Sequence, residues 1–303
     1  MANLKDIKNR ISSVENTKKI TKAMKMVAAA KVKRAESTVK AARPFSDELL
    51  SLFKTLLEKV DITASQGAHP ERAIDDYREL LAKREVKNVG ILVITSNKGL
   101  AGAYNANLAR TVMKEIKENQ EKGLGTVLYV AGMKGISAFK HLPEGAKVSK
   151  SYVQVVESPS AGGSDMIAQD IASDFVSGVI DEIKIVTTRF NNMMSYSISE
   201  SVLLPVDLEQ VEAKELHPLM EFEPSTSHVL QSLLPMYLSN SIFQALLEAN
   251  ASELASRMTA MSAASNNAEE MITDLTINYN KARQAAITQE LVEIVSGANA
   301  AKG

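Results

Sequence analysis

The sequence holds no cysteine, which excludes disulfides, thiolate metal sites and cysteine nucleophiles together and leaves the redox compartment open. Its four histidines, His69, His141, His217 and His228, stand without ligand spacing, so no metal site is expected. No run of about 18 apolar residues could cross a bilayer, and Met1, Ala2, Asn3, Leu4 and Lys5 lack the apolar core of a signal peptide. A soluble chain that stays where it is made is the expectation. Catalytic patterns are missing as well: there is no G-x-S-x-G, no H-E-x-x-H and no Cys/His pair. Glycine is absent from the first 66 residues, and residues 229–296 hold no glycine and a single proline, Pro235.

What is present is helical periodicity. Leu247, Ala251, Leu254, Met258, Met261, Ser265, Ala268, Ile272, Leu275, Tyr279, Ala282 and Ala286 recur at alternating four- and three-residue steps. That is the roughly 3.5-residue period with which one helix winds against another. A helix over 229–296 would run roughly 100 Å, against about 40 Å for a globular domain built from the middle of the chain. It is therefore expected to protrude and to need a partner helix.

The first 60 residues supply one. Leu4, Ile7, Ile11 and Val14 open a seam that resumes at Ala28, Val32, Ala35, Val39 and Ala42 and continues through Leu49, Phe53 and Leu56. In between, the register lands on Lys18, Lys22 and Lys25, with Ile20, Met24 and Val27 opposite, so a change of partner is expected there. Pro44 removes a backbone hydrogen bond and crowds the preceding turn. The period persists beyond it, which predicts a kink, with two helices broken at Arg43 as the alternative. Pro235 is expected to distort or kink the second arm in the same way.

Twelve of the fourteen glycines lie between Gly67 and Gly178, so the two arms flank a turn-rich middle. Residues 66–87 are polar, with a short helical pattern over 73–81, and read as a connection. Residues 88–95 are a continuous β-branched run, as for a strand buried on both faces. A Gly-rich turn at 96–102 leads into a helix over 104–121, and a second strand spans 125–131. A turn at 132–135 enters a short helix ending near His141, and a third strand spans 148–155. In a helix over 164–180, Met166, Ile167, Ile171, Phe175 and Val179 make an apolar face. Strands at 183–190 and 196–206 join through Asn191 and Asn192 as a hairpin. Alternating strand and helix predicts an α/β class with a mainly parallel sheet. The expected division is an N-terminal coiled-coil helix over 1–60, a central α/β domain over 88–207 and a C-terminal helix over 225–300 that pairs antiparallel with the first. Residues 208–226, acidic and carrying Pro218 and Pro224, connect the last two.

The turn at 96–102 joins strand to helix, where backbone N–H groups could cradle phosphate. Gly99, Leu100, Ala101 and Gly102 match neither G-x-G-x-x-G nor G-x-x-x-x-G-K-[ST], although Lys98 adds a cation. A stand-alone nucleotide-binding protein with helical arms is thus one reading, and a structural turn is the other; the turn at 132–135 divides the same way. Asp165, Asp170, Asp174 and Asp181 read as the solvated edge of a helix. Charge is uneven: residues 1–43 carry twelve Lys or Arg against Asp6, Glu15 and Glu36, while residues 229–303 carry seven acids against four bases. The basic face suits an acidic protein partner, open solvent, or nucleic acid as in a basic coiled-coil adaptor, though no aromatic precedes Phe45 to stack on bases.

The run Ile287, Thr288, Gln289, Glu290, Leu291, Val292, Glu293, Ile294, Val295, Ser296, Gly297, Ala298, Asn299, Ala300 resembles the signature of the gamma-subunit family of F-type, proton-translocating ATP synthases, bacterial type. Tyr279 to Gln284 lead into it as in that family. Lys18-Lys19-Ile20-Thr21-Lys22-Ala23-Met24 with Met26-Val27-Ala28-Ala29, and Thr95-Ser96-Asn97-Lys98-Gly99-Leu100-Ala101-Gly102, agree in the same order. The resemblance implies a long antiparallel coiled coil of the two terminal helices plus a central Rossmann-like α/β domain. It implies a rotor shaft, threaded through a hexamer of alpha and beta subunits and joined at its base to the epsilon subunit and the membrane c-ring. Nucleotide sites would belong to the hexamer, so no catalytic, cofactor-binding or metal-ligating residue is expected here. By position, Met24, Lys25 and Met26, with Arg283, Gln284, Thr288 and Glu290, are implied contacts to the hexamer; each could instead be coil core or solvated face. The implied location is peripheral, at the cytoplasmic face of the bacterial plasma membrane. The long cysteine-bearing insertion of chloroplast-type gamma subunits is absent, which argues against thiol regulation.

Overall fold

The computed structural model describes residues 4–57, 77–206 and 226–300. The chain divides into two compact units, Met1–Ala29 with Arg257–Gly303, and Ala30–Ser256. In the larger unit, β1 (Asn88–Ile94), β2 (Gly125–Ala131), β3 (Ala146–Tyr152), β4 (Glu182–Asn192) and β5 (Ser195–Leu204) form one sheet. Its order is β3-β2-β1-β4-β5, parallel except for β5, which returns antiparallel to β4. β1 and β2 are buried at every position after the first, which is why they read as unbroken apolar runs.

Each face of the sheet takes its own layer. α3 (Tyr104–Glu121) turns Tyr104, Leu108, Val112 and Ile116 onto Val89, Ile91, Val93, Leu128 and Val130, beside the short α4 (Met133–Ala138). The opposite face takes Ile167, Ile171 and Phe175 of α5 (Ala161–Val176). The same core draws in Phe53 and Leu56 of α1 (Leu4–Leu57) and Leu234, Leu238, Ile242 and Leu246 of α6 (Thr226–Ala300). Each such fully buried aliphatic side chain stabilises the domain by about 1.5–3 kcal/mol.

α1 runs unbroken through Pro44, and α6 through Pro235, so the alternative of two helices broken at Arg43 falls. Pro44 is exposed while Val39, Leu49 and Phe53 are buried, so its ring disturbs the solvent side and leaves the seam intact. In the larger unit, Val32 and Val39 pack with Leu247, Ala251, Leu254 and Ala255. Ser46 bonds Asn240 and Arg43 bonds Glu248, so position falls along α1 as it rises along α6, and the helices are antiparallel. The smaller unit continues both seams: Thr21, Ala28, Met261 and Ala268 are buried, and Leu4, Ile7, Ile11, Val14, Ile272, Leu275, Tyr279, Ala282 and Ala286 half-buried. Since the chain has no cysteine of its own, cysteines introduced at Val32 and Leu254, or at Val39 and Leu247, are expected to oxidise to intrachain disulfides. Crosslinking in neither pair, on non-reducing gels, would exclude this pairing.

Several expectations need correction. The seam does not change sides at the lysines. It passes through half-buried Lys18, buried Thr21 and half-buried Met24, leaving Ile20 60% and Val27 58% exposed. Lys18 is held there by Glu269, Nζ to Oε1 3.0 Å, and a long stem that buries methylenes under a paired head is compatible with a seam position. The hairpin turn is Met193–Met194, with Asn191 and Asn192 still in β4. Asn192 Oδ1 accepts the Met194 N–H at 2.8 Å, so the asparagine initiates the turn from outside it. β3 lies earlier than 148–155, because Val155 and Val156 enter the core from a 3-10 turn rather than a strand. α5 starts at Ala161, where Ser160 caps it by accepting from Gly163 N; Gly162 and Gly163 disguised that start. It ends before Val179, which is exposed, as is Met166. Of the helical pattern over 73–81, Tyr77–Leu81 forms α2; residues 58–76 and 207–225, which include His69, His217, the first part of the connection expected over 66–87 and nearly all of that over 208–226, lie outside the described residues.

Candidate partner-binding site

The turn after β1 sits where a phosphate would be bound in an open parallel sheet, and its opening residues are tied to neighbouring segments of the chain. Asn105 Oδ1 accepts from Ser96 N at 3.0 Å, and Ser96 Oγ donates to the Lys98 carbonyl at 2.7 Å. From the turn after β2, Met133 N donates to Asn97 Oδ1, Lys134 N to the Ser96 carbonyl and Gly135 N to Thr95 Oγ1. Lys98 reaches Glu157 at 2.8 Å, and that hydrogen bond, against a smaller effect of burial, holds the Glu157 carboxyl below its usual value. The two glycine-rich turns are therefore knitted to each other.

The sheet's order reverses between β1 and β4, the place where such folds open a ligand crevice. α6 fills it. Thr187 Oγ1 donates to the Ala245 carbonyl, Tyr104 Oη to the Ala249 carbonyl at 3.2 Å, and Ser256 Oγ to the Ala101 carbonyl at 2.7 Å. Burial raises the Tyr104 phenol well above its ordinary value, so it stays neutral and keeps its proton for the helix carbonyl. The Asp residues of α5 are not simply a solvated edge: Asp174 accepts from Tyr129 Oη at 2.6 Å, and Asp170 from Tyr152 Oη and Lys150 Nζ. Asp181, beyond α5, is buried and accepts from the Lys87 and Asn88 amides. Among the described residues no group of three or more His, Asp or Glu could hold a metal ion, and no helix is long and apolar enough to cross a membrane.

The surface left over is on the smaller unit. Met26 is 67% exposed next to exposed Lys25, and Met24 is half-buried in the seam. With Ile20, Ala23 and Val27 they make an apolar strip set among Lys19, Lys22 and Lys25, a surface suited to an acidic partner that also offers apolar side chains. Arg283, Gln284, Thr288 and Glu290 are all exposed, and Thr288 Oγ1 donates to the Gln284 carbonyl one turn back. The antiparallel register that sets Lys18 against Glu269 brings Leu4 level with about residue 283. Beyond that point α6 has no α1 residue beside it, and Ile287, Leu291, Val292, Ile294 and Val295 are exposed. The two implied contact groups stand about 20 residues apart along the coil, roughly 30 Å. The structure does not bring them together into one site.

Sequence reading missed a third feature, in the larger unit. Arg43 forks onto Glu248, Nε to Oε1 2.8 Å and Nη2 to Oε2 3.0 Å. Its Nη2 also donates to the Phe190 carbonyl at 2.9 Å, and Glu248 Oε2 accepts from Phe190 N at 2.7 Å. A charged residue amid the apolar run of α6 was the available signal for Glu248. Arg84 escaped notice too; it donates to the Phe175 carbonyl and lies over the Phe175 ring, 4.4 Å to the centroid.

Comparison with known proteins places these features. A family model described as ATP synthase matches residues 3–301. The ATP synthase gamma chain of Picosynechococcus sp. is 41% identical over 326 residues, covering 99% of this chain and all of that one. That of Nostoc punctiforme is 41% identical with 99% of each covered, and that of Gloeobacter violaceus 39%. These alignments are longer than the 303 residues of the chain, so the relatives carry segments without a counterpart here. Among solved structures, a chain from the central stalk and c-ring of the Tetrahymena thermophila mitochondrial ATP synthase is similar at TM-score 0.59 and 26% identity, over 81% of this chain and 99% of that one. A chain of the Euglena gracilis mitochondrial enzyme shares the fold at TM-score 0.63 and 17% identity, over 98% of this chain and 94% of that one.

Proposed function

The chain belongs to the ATP synthase gamma-chain family, and from that membership we propose that it is the central rotor shaft of a proton-translocating ATP synthase. It couples proton flow through the membrane sector to ATP synthesis and hydrolysis in a hexamer of alpha and beta subunits, and performs no chemistry itself. The observation that carries this reading is the end-to-end similarity to gamma chains, 99% of this chain against the full length of the Picosynechococcus one. The filled crevice is in keeping with nucleotide sites that belong to other subunits.

In this reading residues 1–60 and 225–300 are the shaft and residues 88–207 the base, which meets the epsilon subunit and the membrane c-ring. Met24, Lys25 and Met26 form one contact with the hexamer; Arg283, Gln284, Thr288 and Glu290 form another. The complex carries the chain to the cytoplasmic face of the bacterial plasma membrane, where it is peripheral.

Copurification of the tagged chain with alpha and beta subunits from its host tests the assignment, and recovery of the chain alone would overturn it. The contact proposal has its own test. Lys22→Gln with Lys25→Gln removes two exposed charges while keeping good helix formers in place. Exposed ion pairs are worth about 0.2–1 kcal/mol each, so a partial effect is expected. In reconstituted vesicles the ratio of protons pumped to ATP hydrolysed should fall while hydrolysis continues. Unchanged pumping, together with salt-sensitive binding of the chain to duplex DNA, would give this face to nucleic acid instead.

A further inference from the structure

A shaft delivers rotation only if its sheet domain and its two helices turn as one body, so the contacts between them decide how much twist is lost. In the larger unit most of these contacts are single neutral hydrogen bonds. Thr187 reaches the Ala245 carbonyl at 3.5 Å, and Tyr104 bridges Thr188 and the Ala249 carbonyl at 3.2 Å each. Apolar packing adds cohesion and steric interlock but no directional bond. Among the described residues, the buried Gln244 Oε1 and Ser252 Oγ of α6 have no hydrogen-bond partner.

The Arg43 arrangement is different in kind. One guanidinium on α1 makes a two-pronged bond to Glu248 on α6 and a third bond to the Phe190 carbonyl on β4. Glu248 closes the triangle by accepting the Phe190 amide, and Gln244 Nε2 donates to its other oxygen at 3.1 Å. The Glu248 side chain is buried and that of Arg43 one-third exposed. Charge-assisted bonds of this geometry are about twice as strong as neutral ones and fix direction as well as distance. They tie three chain segments at a single point, where β4 leaves the sheet for the hairpin.

We propose that Arg43 is a positioning residue for torque transfer, its fork on Glu248 and the Phe190 backbone locking the sheet to both coil helices so that twist passes without slack. This rests on the rotor reading above. Arg43 touches no substrate and acts through the alignment of the coil.

The test separates stiffness from stability. Replacing a whole ion pair by apolar residues of similar volume can retain or restore folding, whereas removing one partner leaves a buried charge. Arg43→Met alone should therefore reduce the yield of assembled complex, and Arg43→Met with Glu248→Met should recover it. The recovered complex should still be slack. The angular variance of a bead on the stalled rotor is expected to rise by about twofold, and the protons pumped per ATP should fall as the opposing gradient builds. Arg43→Lys, which keeps the charge but loses the fork, should assemble like wild type and show the same increase in variance, and it serves if the double variant does not assemble. Wild-type variance and pumping in a variant that assembles would overturn the proposal, leaving the clamp a stability element only. If the wild-type chain itself fails to support ATP-driven pumping when added to alpha, beta and membrane subunits, the rotor reading falls instead, and that control distinguishes the two failures.

Discussion

Gly132→Ala is expected to destabilise the chain by about 3–5 kcal/mol, combining backbone strain with overpacking. Gly132 has φ 100° and ψ 140°, a conformation that side chains of L-residues rarely adopt. A Cβ there would stand 2.5 Å from the Thr95 carbonyl oxygen and 2.6 Å from Thr95 Oγ1. Thr95 cannot retreat easily, because its N–H and hydroxyl both donate to the Ala131 carbonyl at 2.8 Å and its Oγ1 accepts from Gly135 N. Gly162→Ala is the matched control. Nothing lies within 4 Å of its Cβ position in the first turn of α5, and alanine is the better helix former by up to about 1 kcal/mol. Urea titration of the two variants should move the midpoint in opposite directions; equal midpoints would show that the crossing of the two turns does not constrain Gly132.

Phe53→Ala should cost about 3–5 kcal/mol, the range for a large buried aromatic cut back to a methyl. Phe53 is fully buried in the sheet core and stacks on Tyr237, with centroids 6.0 Å apart and planes 3° from parallel. Phe45, two turns earlier on the same helix, is 54% exposed, and Phe45→Ala should leave the melting temperature nearly unchanged. The pair tests whether the seam truly continues past Pro44. Similar melting temperatures for the two variants would mean that this end of α1 is not anchored as described.

Both positions were separable from sequence, because a seam is a local property. Leu49, Phe53 and Leu56 keep the helical step beyond Pro44, and Phe45 falls outside it. From Leu247 to Ala286 each of the twelve seam residues read from the sequence is buried or half-buried. β1 and β2 were equally legible, since a strand covered on both faces must be apolar throughout. What failed depended on partners far away in sequence. Lys18 belongs to the seam only because Glu269 meets it, and the 3-10 turn at Val155 mimics strand alternation because the core above it wants two valines side by side. The Asp170 and Asp174 pairings needed the tyrosines of β2 and β3. For the partner surface, composition gave the sign of the charge and the resemblance gave positions. The exposure of Met26 and the half-burial of Met24 could come only from the folded helix pair.

The bond from Arg43 to Glu248 closes across 205 residues. A ribosome adding about 5–20 residues per second needs on the order of 10–40 s to span that gap. During that interval Val32 and Val39 lack the α6 face they pack on, and the sheet is made before the segment that fills its crevice. Biosynthesis of this chain is therefore a wait: its first helix is complete long before the last, which covers its seam, is released.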